Sequence, residues 1–207
     1  MSDPIRKLTE IFSEFPGIGP RQARRFVYFL LTRSDSYLKN LTSLLDELKA
    51  STSVCQSCYR FFPADRSSSP LCSICRDPHR DRKLLTLVSR DVDLENIEKA
   101  HIYAGLYFVL GGSVPILEKN PETKIRQKEL LKTIESRLKK EGLTEIIVAM
   151  NLNPEGENTA DYLNALLKPL SEKNNIKVST LGRGLSTGTE LEYSDTETIK
   201  NALKNRA

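Results

Sequence analysis

Cys55-Gln-Ser-Cys58 and Cys72-Ser-Ile-Cys75 are two matching C-x2-C pairs, thirteen residues apart, and they hold all four cysteines of the chain. At that distance two knuckles can close four thiolates around one tetrahedral Zn2+. A pair of disulfides is the alternative, but neighbours within a knuckle present their sulfurs to a metal more readily than to each other. Zinc held by four thiolates keeps no position open for water or substrate, so the expected role is structural, with one ion per chain. Metal binding supplies on the order of 10 kcal/mol of folding energy in comparable peptides. Any other chemistry must come from elsewhere, and two groups stand out. Arg21, Arg24 and Arg25 follow the turn Pro16-Gly17-Ile18-Gly19-Pro20, and Glu155 and Glu157 flank Gly156 in Asn151-Leu-Asn-Pro-Glu-Gly-Glu157.

The arginines need a helix to present them. Ile5, Leu8, Ile11, Phe12 and Phe15 recur at helical spacing and stop at the turn. A second helix follows, with Pro20 near its first turn and Ala23, Phe26, Val27, Leu30 and Leu31 as its buried face. A third runs through Leu38, Leu41, Leu44, Leu45 and Leu48. Helix, turn and helix together look like a helix-hairpin-helix. In that motif Gly17 and Gly19 let the backbone approach a phosphate, amides at the new helix's start hold it, and Ile18 points inward. Three cations at a helix N-terminus oppose the macrodipole, which makes sense if a phosphate chain lies there. A solvated basic face is the plainer alternative. Contacts of this kind go to the backbone, so binding should be sequence-nonspecific and salt-sensitive.

Charge distribution agrees with this placement. Residues 1–83 carry 14 Lys/Arg against 9 Asp/Glu, whereas residues 84–207 carry 17 against 18. The basic excess therefore sits at the front, where a polyanion would bind. The start, Met-Ser-Asp-Pro-Ile-Arg, lacks the apolar stretch of a secretory signal. The longest apolar run, Phe26 to Leu31, is far short of a membrane span. A soluble protein of a reducing cytoplasm is the expectation, and it suits thiolate-bound metal.

The glutamates need a sheet. After a polar stretch, Arg76-Asp-Pro-His-Arg-Asp-Arg82, strands and helices alternate. Strands are expected at Leu84–Val88, Tyr107–Leu110, Glu145–Ala149 and Lys177–Leu181. Helices are expected at Asp93–Ala104 from an Asp cap, Lys124–Lys140 and Thr159–Leu170. That order predicts an α/β, mostly parallel sheet flanked by helices, with ligands beyond the carboxyl ends of strands. Asn151–Glu157 directly follows one of them.

The chain resembles the RecR family of bacterial recombination mediators along nearly its whole length. The matching blocks are Phe15-Pro-Gly-Ile-Gly-Pro-Arg21, the four cysteines with Cys72-Ser-Ile-Cys75-Arg-Asp-Pro, and Gly105-Leu-Tyr-Phe-Val-Leu-Gly-Gly112 with Ser113-Val-Pro115. Glu155-Gly-Glu157 with Thr159-Ala160, and Leu181-Gly-Arg-Gly184 before Glu190-Leu-Glu-Tyr193, complete the set. The resemblance implies a helix-hairpin-helix region over 1–53 and a zinc finger over 54–78. It further implies a Toprim domain over 79–176 and a C-terminal arm over 177–207 that helps close a tetrameric ring. It implies a nucleoid-associated, non-enzymatic DNA clamp of DNA damage repair. Such a clamp acts with RecO, and often RecF, to load RecA on single strands coated by SSB. Arg21 and Arg25 match the family's basic DNA contacts, Arg24 is added from its position alone, and Glu155, Gly156 and Glu157 would face RecO.

Departures from the family pattern bear on the enzyme alternative, a Mg2+-dependent Toprim nuclease or primase-like enzyme. Catalytic Toprim proteins place a glutamate after the first strand and an Asp-x-Asp-x-Asp-Gly run after a later one. Here the run is Asn151-x-Asn153-x-Glu155-Gly156 and the first-strand position is Ser89, where RecR proteins commonly keep a glutamate. A tight two-metal site is not expected from Glu155 and Glu157 alone. In the arm, Ser186 replaces a usual proline and Thr189 a common glycine. No Gly-Lys-Ser/Thr follows Gly111-Gly112, so Walker A binding has no support. His79 and His101 show no triad pattern, Tyr107 and Phe108 read as sheet core, and Lys139-Lys140 suits a helix end.

Overall fold

The Asp3 carboxylate accepts hydrogen bonds from the amides of Ile5 and Arg6 and opens α1 (Pro4–Ser13). Across the hairpin, α2 (Pro20–Leu31) starts with Pro20 in its first turn, and α3 (Asp35–Ala50) is capped by Ser34. The computed structural model describes residues 3–64, 69–182, 184, 185, 188 and 190–205. The chain forms two units, Met1–Thr52 and Ser53–Ala207. In the first, Ala23 and Val27 of α2 are buried and Phe12 meets Phe26 edge to face. Leu31, expected on the buried face, is 62% exposed as the last residue of α2, next to the C-cap Thr32. The helix expected through Leu38–Leu48 forms, but Leu44, Leu45 and Leu48 stay exposed.

The second unit begins with a small hairpin, β1 (Thr52–Val54) and β2 (Phe61–Pro63), followed by a single turn, α4 (Ser73–Arg76). Four parallel strands then build one sheet. They are β3 (Asp81–Val88), β4 (Gly105–Val109), β5 (Glu145–Ala149) and β6 (Lys177–Thr180), in the spatial order β4-β3-β5-β6. Between them run α5 (Asp91–Lys99), α6 (Gln127–Lys140) and α7 (Pro154–Asn174). Leu85, Leu87, Phe108, Ile146 and Val148 pack with Leu130 and Ile134 of α6 and Leu163 and Leu167 of α7. Val88, Tyr107 and Val109 pack with Leu94 of α5 and the four cysteines. Tyr107 and Phe108 are fully buried. The tail ends in α8 (Thr196–Lys204), capped by Asp195.

Several boundaries differ from the sequence expectation. β3 begins at Asp81 and not Leu84, β4 spans Gly105–Val109 and not Tyr107–Leu110, and β6 stops at Thr180. α6 starts at Gln127 and not Lys124, and α7 runs on to Asn174. α5 starts two residues before Asp93, whose carboxylate accepts from the Arg90 amide instead of capping from outside. It stops at Lys99, short of Ala104, because His101 takes a left-handed φ of 53°. α7 starts five residues before Thr159, capped by Asn153 with Pro154 in its first turn. Glu155 and Glu157 therefore belong to a helix, not to a loop. Ser186, Thr189 and Arg183 lie outside the described residues. Among the described residues no helix is long and apolar enough to cross a membrane.

Candidate functional site

The four cysteines converge. Their sulfurs all lie within 4.8 Å of one another and all four residues are buried. Cys58 Sγ and Cys72 Sγ are 3.6 Å apart, too far for a disulfide and close to the ~3.8 Å separation of thiolates tetrahedrally bound at 2.3 Å. Hydrogen bonding from Cys58, Cys72 and Cys75 pulls the Cys55 thiol down, and the same Cys55–Cys58 bond pushes Cys58 up. Four buried sulfurs at this distance cannot all ionise without a cation between them, so the donor set fits one soft or borderline metal ion. The first knuckle closes through the Tyr59 amide on the Cys55 carbonyl (2.9 Å), with Tyr59 at φ 62°. The second closes through the Arg76 amide on the Cys72 carbonyl (3.1 Å).

The finger is fastened to the sheet by groups that sequence patterns did not single out. The Val109 amide donates to the Cys58 carbonyl (2.8 Å). Arg126 Nη1 donates to the carbonyls of Val109 (2.9 Å) and Tyr59 (3.4 Å). Arg137 Nη2 reaches Ser57 Oγ (3.0 Å) while its Nη1 holds Glu141 (2.8 Å). Arg137 is only 5% exposed. Its signal was available: it stands seven residues after Leu130 and three after Ile134, on the apolar stripe of α6. A second cation, the half-buried Arg80, forks onto Glu98, whose carboxylate also accepts from the Tyr107 hydroxyl (2.6 Å).

In the hairpin, Gly17 turns the chain with φ +77° and Gly19 is the N-cap of α2. Gly19 has no side chain to cap the helix, and a Cβ there would meet nothing within 4 Å. The first amides of α2 are thus open toward an approaching anion. Ile18 is half-buried, and its amide bonds the Phe15 carbonyl at 3.0 Å. Arg21, Arg24 and Arg25 are exposed, Arg25 bonding Gln22 one turn back at 3.2 Å. α2 contains no acidic residue.

The sheet reverses its strand order between β3 and β5, and the crevice beyond their carboxyl ends is where such folds bind ligands. Ser89, immediately after β3, is 1% exposed and donates its hydroxyl to Met150 Sδ at 3.2 Å. No carboxylate stands there. Glu155 and Glu157 are exposed in the first turn of α7, where the helix dipole favours acids. Gly156 between them is buried, and a Cβ on it would lie 2.1 Å from the Asn151 carbonyl oxygen. It lets α7 start against the end of β5 and so positions its two neighbours. Among the described residues the cysteines form the one cluster of three or more Cys, His, Asp or Glu able to hold a metal. His79 and His101 are exposed.

Known families match in the same order along the chain. Residues 5–49 match the family described as RecR, helix-hairpin-helix; residues 83–182 match Toprim domain; residues 184–207 match RecR, C-terminal. The chain is 36% identical over 202 residues to Recombination protein RecR of Bifidobacterium longum subsp. infantis, spanning 98% of this chain and 94% of that one. It is 37% identical over 203 residues to the protein of that name from Roseiflexus castenholzii, spanning 98% and 93%. The Staphylococcus haemolyticus protein of that name is 37% identical over 205 residues, spanning 99% and 96%. Relatives at this identity run through both units and both ends, and the chain belongs to the RecR family of recombination proteins.

Proposed function

We propose that the protein is a DNA-binding recombination mediator and not an enzyme. Residues 1–53 grip the DNA backbone through the amides around Gly17, Ile18 and Gly19 and the side chains of Arg21, Arg24 and Arg25. Residues 54–78 are held by one structural Zn2+ on Cys55, Cys58, Cys72 and Cys75. The Toprim region, expected over 79–176, together with β6 (Lys177–Thr180), the edge strand of the same sheet, serves as a docking surface, with Glu155 and Glu157 facing RecO, and RecF where the host has it. The remaining tail helps close a homo-oligomeric, tetrameric ring in the cytoplasm, at the nucleoid, from which RecA is loaded on SSB-coated single strands. A ring multiplies a small basic module, so several weak phosphate sites act by avidity.

The observation that carries this reading is the start of α2: uncapped amides behind Gly19, three exposed arginines and no acid on the helix. That arrangement attracts phosphate and repels little else. The buried Ser89 hydroxyl at the switch point supports docking over phosphodiester chemistry, because it supplies no metal-binding carboxylate. The test is a native gel of labelled gapped DNA with zinc-loaded protein, with and without Mg2+, followed by recovery of the DNA. A shifted, uncut substrate in both lanes is expected. Mg2+-dependent fragments that disappear on changing Glu155 or Glu157 would instead establish a nuclease.

A further inference from the structure

The exposed side of α2 carries more than phosphate-seeking charge. At 3.6 residues per turn, side chains four apart stand one above the other. Within α2 one row reads Arg21, Arg25, Phe29 and the row beside it reads Arg24, Tyr28; Arg33 follows just past the end of the helix. Three arginines followed by two aromatic rings thus share the face opposite the buried Ala23 and Val27. The Arg33 guanidinium lies 3.9 Å from the Phe29 ring centroid, and Tyr37 closes on Phe29 edge to face at 6.4 Å. Phe29 is therefore already occupied. Tyr28 is not: it is 53% exposed, and among the described residues no ring contact or hydrogen bond engages it.

We propose that Tyr28 is a base-stacking platform, and that this face binds single-stranded nucleic acid in preference to duplex. The proposal rests on the reading of α2 as a DNA-binding helix. Arg21, Arg24 and Arg25 take backbone phosphates, and a base swung out from the same stretch lies flat on the Tyr28 ring. A duplex keeps its bases inside and gains only the phosphate contacts, whereas a single strand gains both. Every base has a π-face, so the contact favours strandedness without adding a sequence code. Charge decides against a second copy of the chain as occupant. The face brings three arginines and no acid of α2, which complements a polyanion and not an identical basic face.

The test uses the full-length, zinc-loaded protein, a fluorescein-labelled oligo(dT) strand and a blunt duplex of equal length, read by fluorescence anisotropy. Light scattering gives the molecular mass of each variant. Tyr28→Ala should weaken oligo(dT) binding about tenfold and duplex binding by less than about twofold, and Tyr28→Phe should restore the wild-type ratio. A 2-aminopurine placed in the strand should be quenched by the wild type and not by Tyr28→Ala. Equal weakening on both substrates, or none, overturns the platform. Weakening of both by Arg25→Glu with no effect of Tyr28→Ala keeps the hairpin and removes the platform. A wild type that binds neither substrate removes the hairpin as well. Loss of binding with a drop in mass for Tyr28→Ala makes the face a contact between copies and also overturns the proposal.

Discussion

Glu98 shows how much a single carboxylate can hold. Arg80, just before β3, forks onto it from one side and Tyr107 of β4 donates from the other, while Arg80 also bonds the carbonyls of Tyr103 and Gly105. Burial pushes the Glu98 carboxyl up, but the Arg80 and Tyr107 hydrogen bonds outweigh it and hold the group below its ordinary 4.5. A depressed carboxylate contributes fully above its unfolded value and loses that contribution as pH falls through the folded one. The gap in urea midpoint between wild type and Glu98→Gln should therefore be widest near neutrality and shrink below pH 4.5; a gap unchanged across that window refutes the account. Glu98→Ala, which strands the half-buried Arg80, should cost about 2 kcal/mol. Gly156 poses a steric version of the same question. Its missing Cβ would meet backbone at 2.1 Å, so Gly156→Ala should cost about 1–3 kcal/mol and lower Tm. Changing exposed Glu155 to Ala should move stability by no more than about 0.5 kcal/mol.

At the scale of elements, the sequence was most legible where periodicity was unbroken. The strand at Glu145–Ala149 and the long α6 follow directly from their apolar patterns. The start of α7 was legible too, through Asn153 as cap and Pro154 in the first turn, signals that outrank the glycine two residues later. The early end of α5 was not, because a non-glycine residue, His101, adopts the left-handed conformation that stops it. Convergence of the cysteines was legible from their spacing; what fastens their finger to the sheet was not. Those bonds join Tyr59 to Arg126 and Ser57 to Arg137, across 67 and 80 residues of sequence. They make a prediction about the metal. Arg137→Ala frees Ser57 in the first knuckle without touching a cysteine, so metal transfer to a chelator should quicken about tenfold, the equivalent of one charged hydrogen bond. Elemental analysis should find one zinc per chain in both proteins. An unchanged transfer rate would mean that the knuckle holds its metal independently of α6.

For the molecule as a whole, the division into two units carries the strongest consequence. The basic hairpin lies in Met1–Thr52, while the acidic start of α7 and the four-cysteine cluster lie in Ser53–Ala207. If each of the two proposed binding functions belongs to its own unit, single-site changes should separate them. Arg25→Glu should weaken DNA binding and flatten its dependence on salt, since every phosphate left without its cation takes about one unit off the slope. Its binding to RecO should stay within about twofold of wild type. Glu155→Lys with Glu157→Lys should do the reverse, because reversing two exposed acids repels a basic partner surface while leaving the hairpin untouched. Both variants should keep the wild-type mass in solution if ring closure depends on neither site. The pattern matters more than either number. Loss of both functions in one variant would mean that DNA and partner share a surface, and the clamp would then have to release one to hold the other. Clean separation instead makes the protein a bridge, holding the DNA with one unit while the other recruits the partner.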